Sequence, residues 1–195
     1  MEPLQHETLA NLLAELQLAP AHQTVSLQKL VAVDSRFIKD LKLNIGTVLS
    51  SQNINRKDAL LLALSVAVNE RHPELTEAFE GLALKEGASA AEVAETHACA
   101  AVMSANNIFY RFKHYMPGVE FYTKQPAGMR MSIMMNPVMG KEMFELMSLV
   151  VSAVNNCEQC ITSHEASVKQ HGASEARIYD AIRLAAVIKS LTVIV

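Results

Sequence analysis

The sequence has few cysteines, no excess of basic residues and no apolar run long enough to span a membrane. It contains three cysteines in 195 residues, and its formal net charge is −3. Proteins that bind nucleic acids usually carry a basic surface, so this charge argues against a nucleic-acid partner. The longest apolar run, ALLLALSVAV (59–68), is much shorter than the roughly 20 residues that a membrane helix needs.

The N-terminal segment lacks the lysine or arginine that begins a secretory signal peptide. Its first residues, MEPLQHETL, carry acidic side chains instead, which predicts a cytoplasmic and therefore reduced protein. Structural disulfides are uncommon in that compartment. A C-x-x-C pair in such a protein indicates redox activity or metal binding.

Strand signals are almost absent, and apolar residues recur with the 3.6-residue period of a helix. Leu9, Leu12, Leu13 and Leu16 predict a short amphipathic helix that ends before Pro20. Further helices are predicted over residues 25–41, 56–70, 74–86, 90–112, 140–155, 157–171 and 175–193. We therefore expect a single all-α domain over residues 1–195.

The segment from about 116 to 136 is rich in proline and glycine, and it is predicted to be an irregular connector. It separates an N-terminal half (about 1–115) from a C-terminal half (about 137–195) that contains the C-x-x-C. GASAAEVAETHACAAVMS (87–104) aligns without gaps on GASEARIYDAIRLAAVIKS, which begins at Gly172. This indicates two copies of a helical hairpin, although Ala-rich helices also align by composition alone.

A looser match, at an offset of 87 residues, relates LSVAVNERHPEL (64–75) to VVSAVNNCEQCI (150–161). In this alignment the first copy has Glu70 and Pro73 where the second has Cys157 and Cys160. The N-terminal copy is therefore predicted to be a scaffold, and the C-terminal copy is predicted to carry the chemistry.

The segment ELMSLVVSAVNNCEQCITSH (145–164) places a histidine four residues after a C-x-x-C. If Asn155 or Asn156 caps a helix, Cys157 lies in its first turn. Cys157, Cys160 and His164 then share one face of that helix. The helix N-terminus favours the thiolate of Cys157, and His164 can take the proton of Cys160. This spacing predicts a redox-active dithiol.

Zinc is the main alternative for the cysteine pair, because Cys157, Cys160 and His164 are three possible ligands. A structural zinc site needs four ligands, usually as two spaced pairs, and the sequence has no second C-x-x-C. The remaining cysteine, Cys99, is predicted to be a small buried apolar residue.

Glu145 lies in an apolar stretch and shares a helix face with Ser148 and Ser152. If this face is buried, the carboxylate needs a partner or a raised pKa, and either makes it a candidate proton relay. A solvent-facing glutamate near a helix start is equally consistent with the sequence. Seven of the ten methionines lie between Met129 and Met147, where they are predicted to fill the core or, alternatively, to line an apolar channel beside the thiols.

Taken together with these motifs, the chain resembles the AhpD-type alkyl hydroperoxidases of the carboxymuconolactone decarboxylase-like superfamily. The resemblance covers nearly the whole chain and includes the segments IKDLKLNIGTVLSS (38–51), AAVMSANNIFYRF (100–112), MRMSIMMNP (129–137) and FELMSLVVSAVNNCEQCITSHE (144–165). The last segment is the most specific, because it has the glutamate, the C-x-x-C and the histidine at the family spacing. The resemblance implies an all-helical fold of two related halves, a homotrimer, and no bound metal or flavin.

By position, the resemblance makes Cys160 the peroxide-reacting cysteine, which passes through a sulfenic acid. Cys157 would be its proton donor and resolving partner, and His164 with Glu145 would form the proton relay. Family members reduce organic hydroperoxides and can return the disulfide form of the peroxiredoxin AhpC to its thiol form. The resemblance further implies re-reduction by dihydrolipoamide on a lipoyl-carrying acyltransferase, which dihydrolipoamide dehydrogenase recharges.

Gln159 departs from the family pattern, because well-known AhpD proteins have a histidine immediately before the second cysteine. Glutamine donates hydrogen bonds but does not exchange protons near neutral pH, so the change should affect rate and pH dependence. The helix terminus favours Cys157 as the more acidic thiol, whereas the resemblance makes Cys160 the attacker. Both assignments hold if Cys157 is exposed to a thiol donor and Cys160 lies deeper in the protein. A redox-sensing or binding protein that uses the C-x-x-C as a switch is the alternative function.

Overall fold

The computed structural model describes residues 6–195, which form ten α-helices and one 3₁₀ turn and contain no β-strand. The helices are α1 (Glu7–Glu15), α2 (Val25–Ala32), α3 (Arg36–Leu49), α4 (Arg56–Asn69), α5 (Pro73–Lys85), α6 (Ala90–Tyr115), α7 (Glu120–Lys124), α8 (Lys141–Val154), α9 (Glu158–Gln170) and α10 (Glu175–Leu191). The all-α prediction is confirmed. Residues 1–5, where the predicted domain and the segment examined for a signal peptide begin, lie outside the described residues.

Helix α4 is buried on every side and forms the centre of the bundle. Its residues from Ala59 to Ala67 are all 0% exposed, and it packs against α5, α6, α8 and α10. A helix that is apolar all round belongs inside a protein core. The apolar run at 59–68 is therefore core structure, and no helix within residues 6–195 is long and apolar enough to cross a membrane.

The helices of the two halves correspond at a constant offset of 85 residues. Helix α4 (Arg56–Asn69) corresponds to α8 (Lys141–Val154), and α5 (Pro73–Lys85) corresponds to α9 (Glu158–Gln170). The same offset relates the start of α6 to the start of α10. Both of these helices are capped by a serine, Ser89 or Ser174, whose side chain accepts a backbone N–H of the first turn. The observed helices thus repeat in the order that the sequence predicts.

The predicted pairing of Cys157 and Cys160 with Glu70 and Pro73 is wrong. With the constant offset of 85 residues, Cys157 corresponds to His72, and both residues are helix N-caps. Cys160 corresponds to Leu75, which is 0% exposed and belongs to the core. The sequence match was misleading because it aligned two similar stretches of small apolar residues out of register.

The helix predicted over residues 25–41 is two helices, α2 and α3. Asp34 adopts a positive φ of 45°, which a helix does not tolerate, and Ser35 then caps α3 through a hydrogen bond from the Phe37 N–H. Helix α3 continues to Leu49, eight residues beyond the predicted end. The apolar period runs through the break, which is why the pattern alone did not reveal it.

The connector is more ordered than predicted, since it contains the short helix α7 and a 3₁₀ turn at Ser132–Met134. The buried carboxylate of Glu95 accepts the backbone N–H groups of Val138 and Met139 at 2.7 and 2.8 Å. These hydrogen bonds hold the chain where the connector ends. Hydrogen bonds from backbone donors to a carboxylate are strong, so this contact fixes the connector against α6. The 3₁₀ turn is thereby held close to the N-terminus of α8.

Candidate active site

The two cysteines lie at the tight turn between α8 and α9. Asn155 is the C-cap of α8, and Asn156 adopts a positive φ of 55°. Cys157 is the N-cap of α9, and its backbone N–H donates to the Ser152 carbonyl at 3.1 Å. Neither asparagine caps α9, because both are used to close α8 and reverse the chain. Cys160 lies in the first turn of α9, one turn before His164.

Cys157 and Cys160 are joined by a disulfide, with their Cα atoms 5.2 Å apart. Cys157 is 0% exposed and Cys160 is 6% exposed. The arrangement that would reconcile the two cysteine assignments, with Cys157 exposed and Cys160 deeper, is therefore not the one observed. The N-cap position turns Cys157 towards the protein interior, whereas Cys160 on the helix face reaches a cavity. Only the packing of α9 against its neighbours decides this order.

A partly buried network of amides fixes the turn that carries Cys157. Asn155 donates to the side-chain oxygens of Asn69 and Asn107 at 3.0 and 2.9 Å, and Asn107 donates to Ser152 Oγ at 2.9 Å. Arg111 adds a hydrogen bond to the Asn155 carbonyl at 2.8 Å. Networks whose members are all paired rigidify a local structure. Ser152, which shares a helix face with Glu145 and was a candidate for supporting the site, is part of this network and is not among the residues that line the cavity.

Glu145 and His164 form a buried pair. The Nδ1 atom of His164 donates to Glu145 Oε2 at 2.7 Å, and the Lys141 ammonium lies 3.1 Å from Glu145 Oε1. Glu145 is 4% exposed, so the solvent-facing alternative is excluded. Burial raises the pKa of Glu145, but the hydrogen bonds from His164 and Lys141 outweigh it and lower that pKa to about 2. The carboxylate is thus ionised at neutral pH and orients the imidazole.

A cavity of about 270 Å³ opens beside Cys160 and His164. One wall comes from α9 and also includes Gln159 and Ser163. The opposite wall comes from α6, and the connector supplies two methionines. The residues lining the cavity are Asn106, Tyr110, Met131, Met134, Gln159, Cys160, Ser163 and His164. The arrangement places a cysteine sulfur and an imidazole in a partly apolar chamber, which suits the reaction of a thiol with a small organic molecule.

The methionines of the 129–147 segment divide between the two predicted roles. Met143 and Met147, on α8, are buried in the core. Met131 and Met134, in the connector, line the cavity next to the cysteine pair. The channel interpretation therefore holds for Met131 and Met134, and the core interpretation holds for Met143 and Met147. Met135 is 74% exposed and fits neither interpretation.

Cys99 does not join the cysteine pair. It is 0% exposed, and its sulfur lies 3.5 Å from Ser148 Oγ. Burial raises the pKa of the Cys99 thiol to about 12, as expected for an inert core cysteine. Within residues 6–195, no group of three or more histidine, cysteine, aspartate or glutamate side chains is arranged to hold a metal ion. The described residues therefore provide no ligand set for the zinc alternative.

Sequence reasoning missed four residues of the site, of which Ser163 lies within the segment that contains the C-x-x-C. Lys141 precedes Glu145 by four residues on α8, so the i,i+4 spacing was a signal that could have identified it. Asn106 and Tyr110 reach the cavity from α6, more than 45 residues before the cysteines in the chain. No local spacing links them to the C-x-x-C, and only the packing of α6 on α9 brings them to it.

Comparisons with known proteins identify relatives of this chain. Residues 122–192, which include the whole glutamate, cysteine and histidine set, match the Carboxymuconolactone decarboxylase family. The chain is 37% identical over 169 residues to "Alkyl hydroperoxide reductase AhpD" of Bradyrhizobium sp. (strain BTAi1), covering 87% of this chain and 92% of the relative. It is 36% identical over 169 residues to the Streptomyces griseus protein of the same name, covering 87% and 94%. The Rhizorhabdus wittichii protein is 40% identical over 155 residues, covering 79% and 88%. The chain therefore belongs to the AhpD family, within the carboxymuconolactone decarboxylase-like proteins.

Proposed function

We propose that this protein is an antioxidant, thiol-dependent alkyl hydroperoxide reductase. One observation carries the proposal: of the two cysteines of the pair, Cys160 lines a cavity, and His164 beside it is hydrogen-bonded to the buried carboxylate of Glu145. A thiolate in this position can meet a small hydroperoxide that enters the cavity. The family relatives bear the name of this activity.

The catalytic cycle starts from the reduced pair. The Cys160 thiolate attacks the terminal oxygen of the hydroperoxide, the O–O bond breaks, and the alkoxide takes a proton from Cys157 and leaves as the alcohol. Cys160 is now a sulfenic acid, which the Cys157 thiolate attacks to form the disulfide and release water. His164, oriented by Glu145, passes the protons between the two thiols and the departing oxygens.

We propose that the disulfide is re-reduced by dihydrolipoamide on a lipoyl-carrying acyltransferase, which dihydrolipoamide dehydrogenase recharges, and that the protein holds no bound cofactor. An AhpC-type peroxiredoxin is a further proposed substrate, and the cytoplasm is the proposed location. The proposed assembly is a homotrimer. Its candidate contact surface is the exposed apolar set at the end of α6 and around α7, which consists of Ile108, Phe112, Tyr115, Phe121 and Tyr122.

The structure predicts which sulfur of the disulfide the dihydrolipoamide donor attacks. In the disulfide form Cys160 lines the cavity and Cys157 is 0% exposed, so a dihydrolipoamide thiolate should attack Cys160. Cys157 then leaves as a thiolate at the N-terminus of α9, where free N–H groups favour negative charge. Acid-quenched reactions should contain lipoamide bound to the Cys160 peptide in mass spectra. Cys99→Ser should give the same adduct, and lipoamide recovered on Cys157 would contradict the prediction.

Steady-state turnover tests the proposed function as a whole. Purified protein with dihydrolipoamide, dihydrolipoamide dehydrogenase and NADH should consume cumene hydroperoxide for many cycles, followed by loss of NADH absorbance. The alternative, a redox-sensing switch, is motivated by Gln159, whose exposed side chain lines the cavity where many relatives are expected to have histidine. A switch would show one oxidation per chain and negligible turnover in the same assay.

A further inference from the structure

Asn106 has an unusual environment for an asparagine. It is 5% exposed, lies within the 26-residue helix α6, and lines the cavity that contains Cys160. Its side-chain amide makes no hydrogen bond within residues 6–195, and its polar atoms are open to the cavity, since the fully buried unpaired side-chain atom of these residues is His22 Nε2. Asparagine is a weak helix former, and this amide stabilises no other part of the described chain by hydrogen bonding. The amide is therefore available to bind a molecule that enters the cavity.

The neighbouring asparagine shows the contrast. Asn107 is 1% exposed, donates to Ser152 Oγ at 2.9 Å and accepts from Asn155 at 2.9 Å. Its amide is thus used inside the protein to hold the turn before Cys157. Asn106 is the preceding residue of the same helix. It lines the cavity and makes no hydrogen bond with Ser152 or Asn155. Two adjacent residues of one type therefore have separate tasks.

The groups around Asn106 define what the ligand must be. Tyr110 lies one turn further along α6 and lines the same cavity, and its hydroxyl also has no hydrogen-bond partner within the described chain. Across the cavity are Cys160 and His164 on α9, while Met131 and Met134 supply an apolar surface. A compact molecule with an apolar body and one polar end that accepts hydrogen bonds suits this chamber. An organic hydroperoxide has that chemistry.

We propose that Asn106 is a catalytic residue of the peroxide step. Its amide donates a hydrogen bond to the hydroperoxide oxygen that carries the alkyl group. Negative charge develops on this oxygen when the Cys160 thiolate forms its bond to the terminal oxygen and the O–O bond breaks. The amide stabilises that charge until the alkoxide takes its proton and leaves as the alcohol. A fixed donor aimed at developing charge lowers the barrier more than it strengthens ground-state binding.

This inference rests on the proposed function. It predicts that a substitution of Asn106 slows the reaction with hydroperoxide but not the reduction of the disulfide. Asn106→Leu keeps the side-chain size and removes the donor, so it should lower kcat/KM for cumene hydroperoxide by about 10² to 10³-fold. Reduction of the Cys157–Cys160 disulfide by excess dihydrolipoamide, measured without peroxide, should stay within about twofold of the wild type, because a thiol attacking a disulfide makes no use of the amide.

Asn44→Leu is the matched control, since Asn44 is an exposed asparagine within helix α3 and is not among the residues that line the cavity. It should behave as the wild type in both half-reactions. The inference is overturned if Asn106→Leu retains wild-type kcat/KM for the hydroperoxide. It is also overturned if both half-reactions fall equally together with the melting temperature, which would show a structural role. A wild type that consumes no hydroperoxide would instead refute the proposed function, and the inference with it.

Discussion

Replacing Cys160 by serine is expected to abolish hydroperoxide consumption, whereas replacing Cys157 should leave a single oxidation of Cys160. Cys160 is the cysteine of the pair that lines the cavity, and Cys157 is fully buried behind it. Serine cannot form a sulfenic acid, and loss of an enzyme nucleophile commonly costs about 10³-fold or more in rate. In Cys157→Ser the sulfenic acid forms but has no thiol nearby to resolve it.

Intact mass and free-thiol counts check this expectation after one equivalent of cumene hydroperoxide. The wild type should lose two thiols without gaining oxygen, and Cys157→Ser should gain one oxygen atom on Cys160. Cys99→Ser is the matched control and should match the wild type, because the buried Cys99 thiol has its pKa raised to about 12 by burial. Sulfenic acid on Cys157, or full turnover by Cys160→Ser, would contradict the proposed roles.

Replacing Glu145 by glutamine is expected to lower the rate of the peroxide step by about 10²-fold. Glutamine has nearly the same shape, but it carries no charge to orient and stabilise the protonated imidazole of His164. The hydrogen bond of 2.7 Å between these two side chains makes His164 dependent on the carboxylate. Stopped-flow oxidation of the reduced protein by cumene hydroperoxide measures this step directly.

Glu165→Gln is the control for this substitution. Glu165 lies next to His164 on α9, but it pairs with Lys169 at 3.2 Å and is not among the residues that line the cavity. Its rate should remain within about twofold of the wild type, because removal of a partly exposed ion pair has small effects. Equal losses in the Glu145 and Glu165 variants would show a general charge effect and refute the relay.

The same pair gives the stability of the protein a defined pH dependence. The folded pKa of Glu145, about 2, lies below its ordinary value of 4.5. The stabilisation from the ionised carboxylate is therefore complete above about pH 4.5 and is lost as the pH falls towards 2. Urea unfolding should show that the wild type exceeds Glu145→Gln in stability at pH 6, with the difference shrinking below pH 4.5. A difference that stays constant down to pH 2 would contradict the lowered pKa.

The repeat shows which residues occupy the active-site positions in the first half of the chain. At the offset of 85 residues, the first half has Leu60, Leu75 and Phe79 where the second has Glu145, Cys160 and His164. The three residues of the first half are all 0% exposed core side chains. The polar and reactive residues of the second half thus occupy positions that the fold buries by default. This burial explains why the Glu145 carboxylate needs hydrogen bonds from both His164 and Lys141.

The sequence by itself determined the helical class, the position of the connector and the local part of the site. Helical period, serine caps and the spacing from Glu145 to His164 are local properties, and local properties can be read along a chain. The spacing of Cys157 and Cys160 likewise specified that the two thiols could meet in a disulfide.

Only the tertiary structure decided which of the two cysteine sulfurs faces the cavity. It also decided which residues form the opposite wall of that cavity. Burial of Cys157 depends on the αL turn at Asn156 and on the amide network around Asn155, which joins helices far apart in the sequence. Asn106 and Tyr110 approach Cys160 only because α6 packs on α9. Contacts between distant segments follow from how whole helices fill the core together, and no local pattern encodes them.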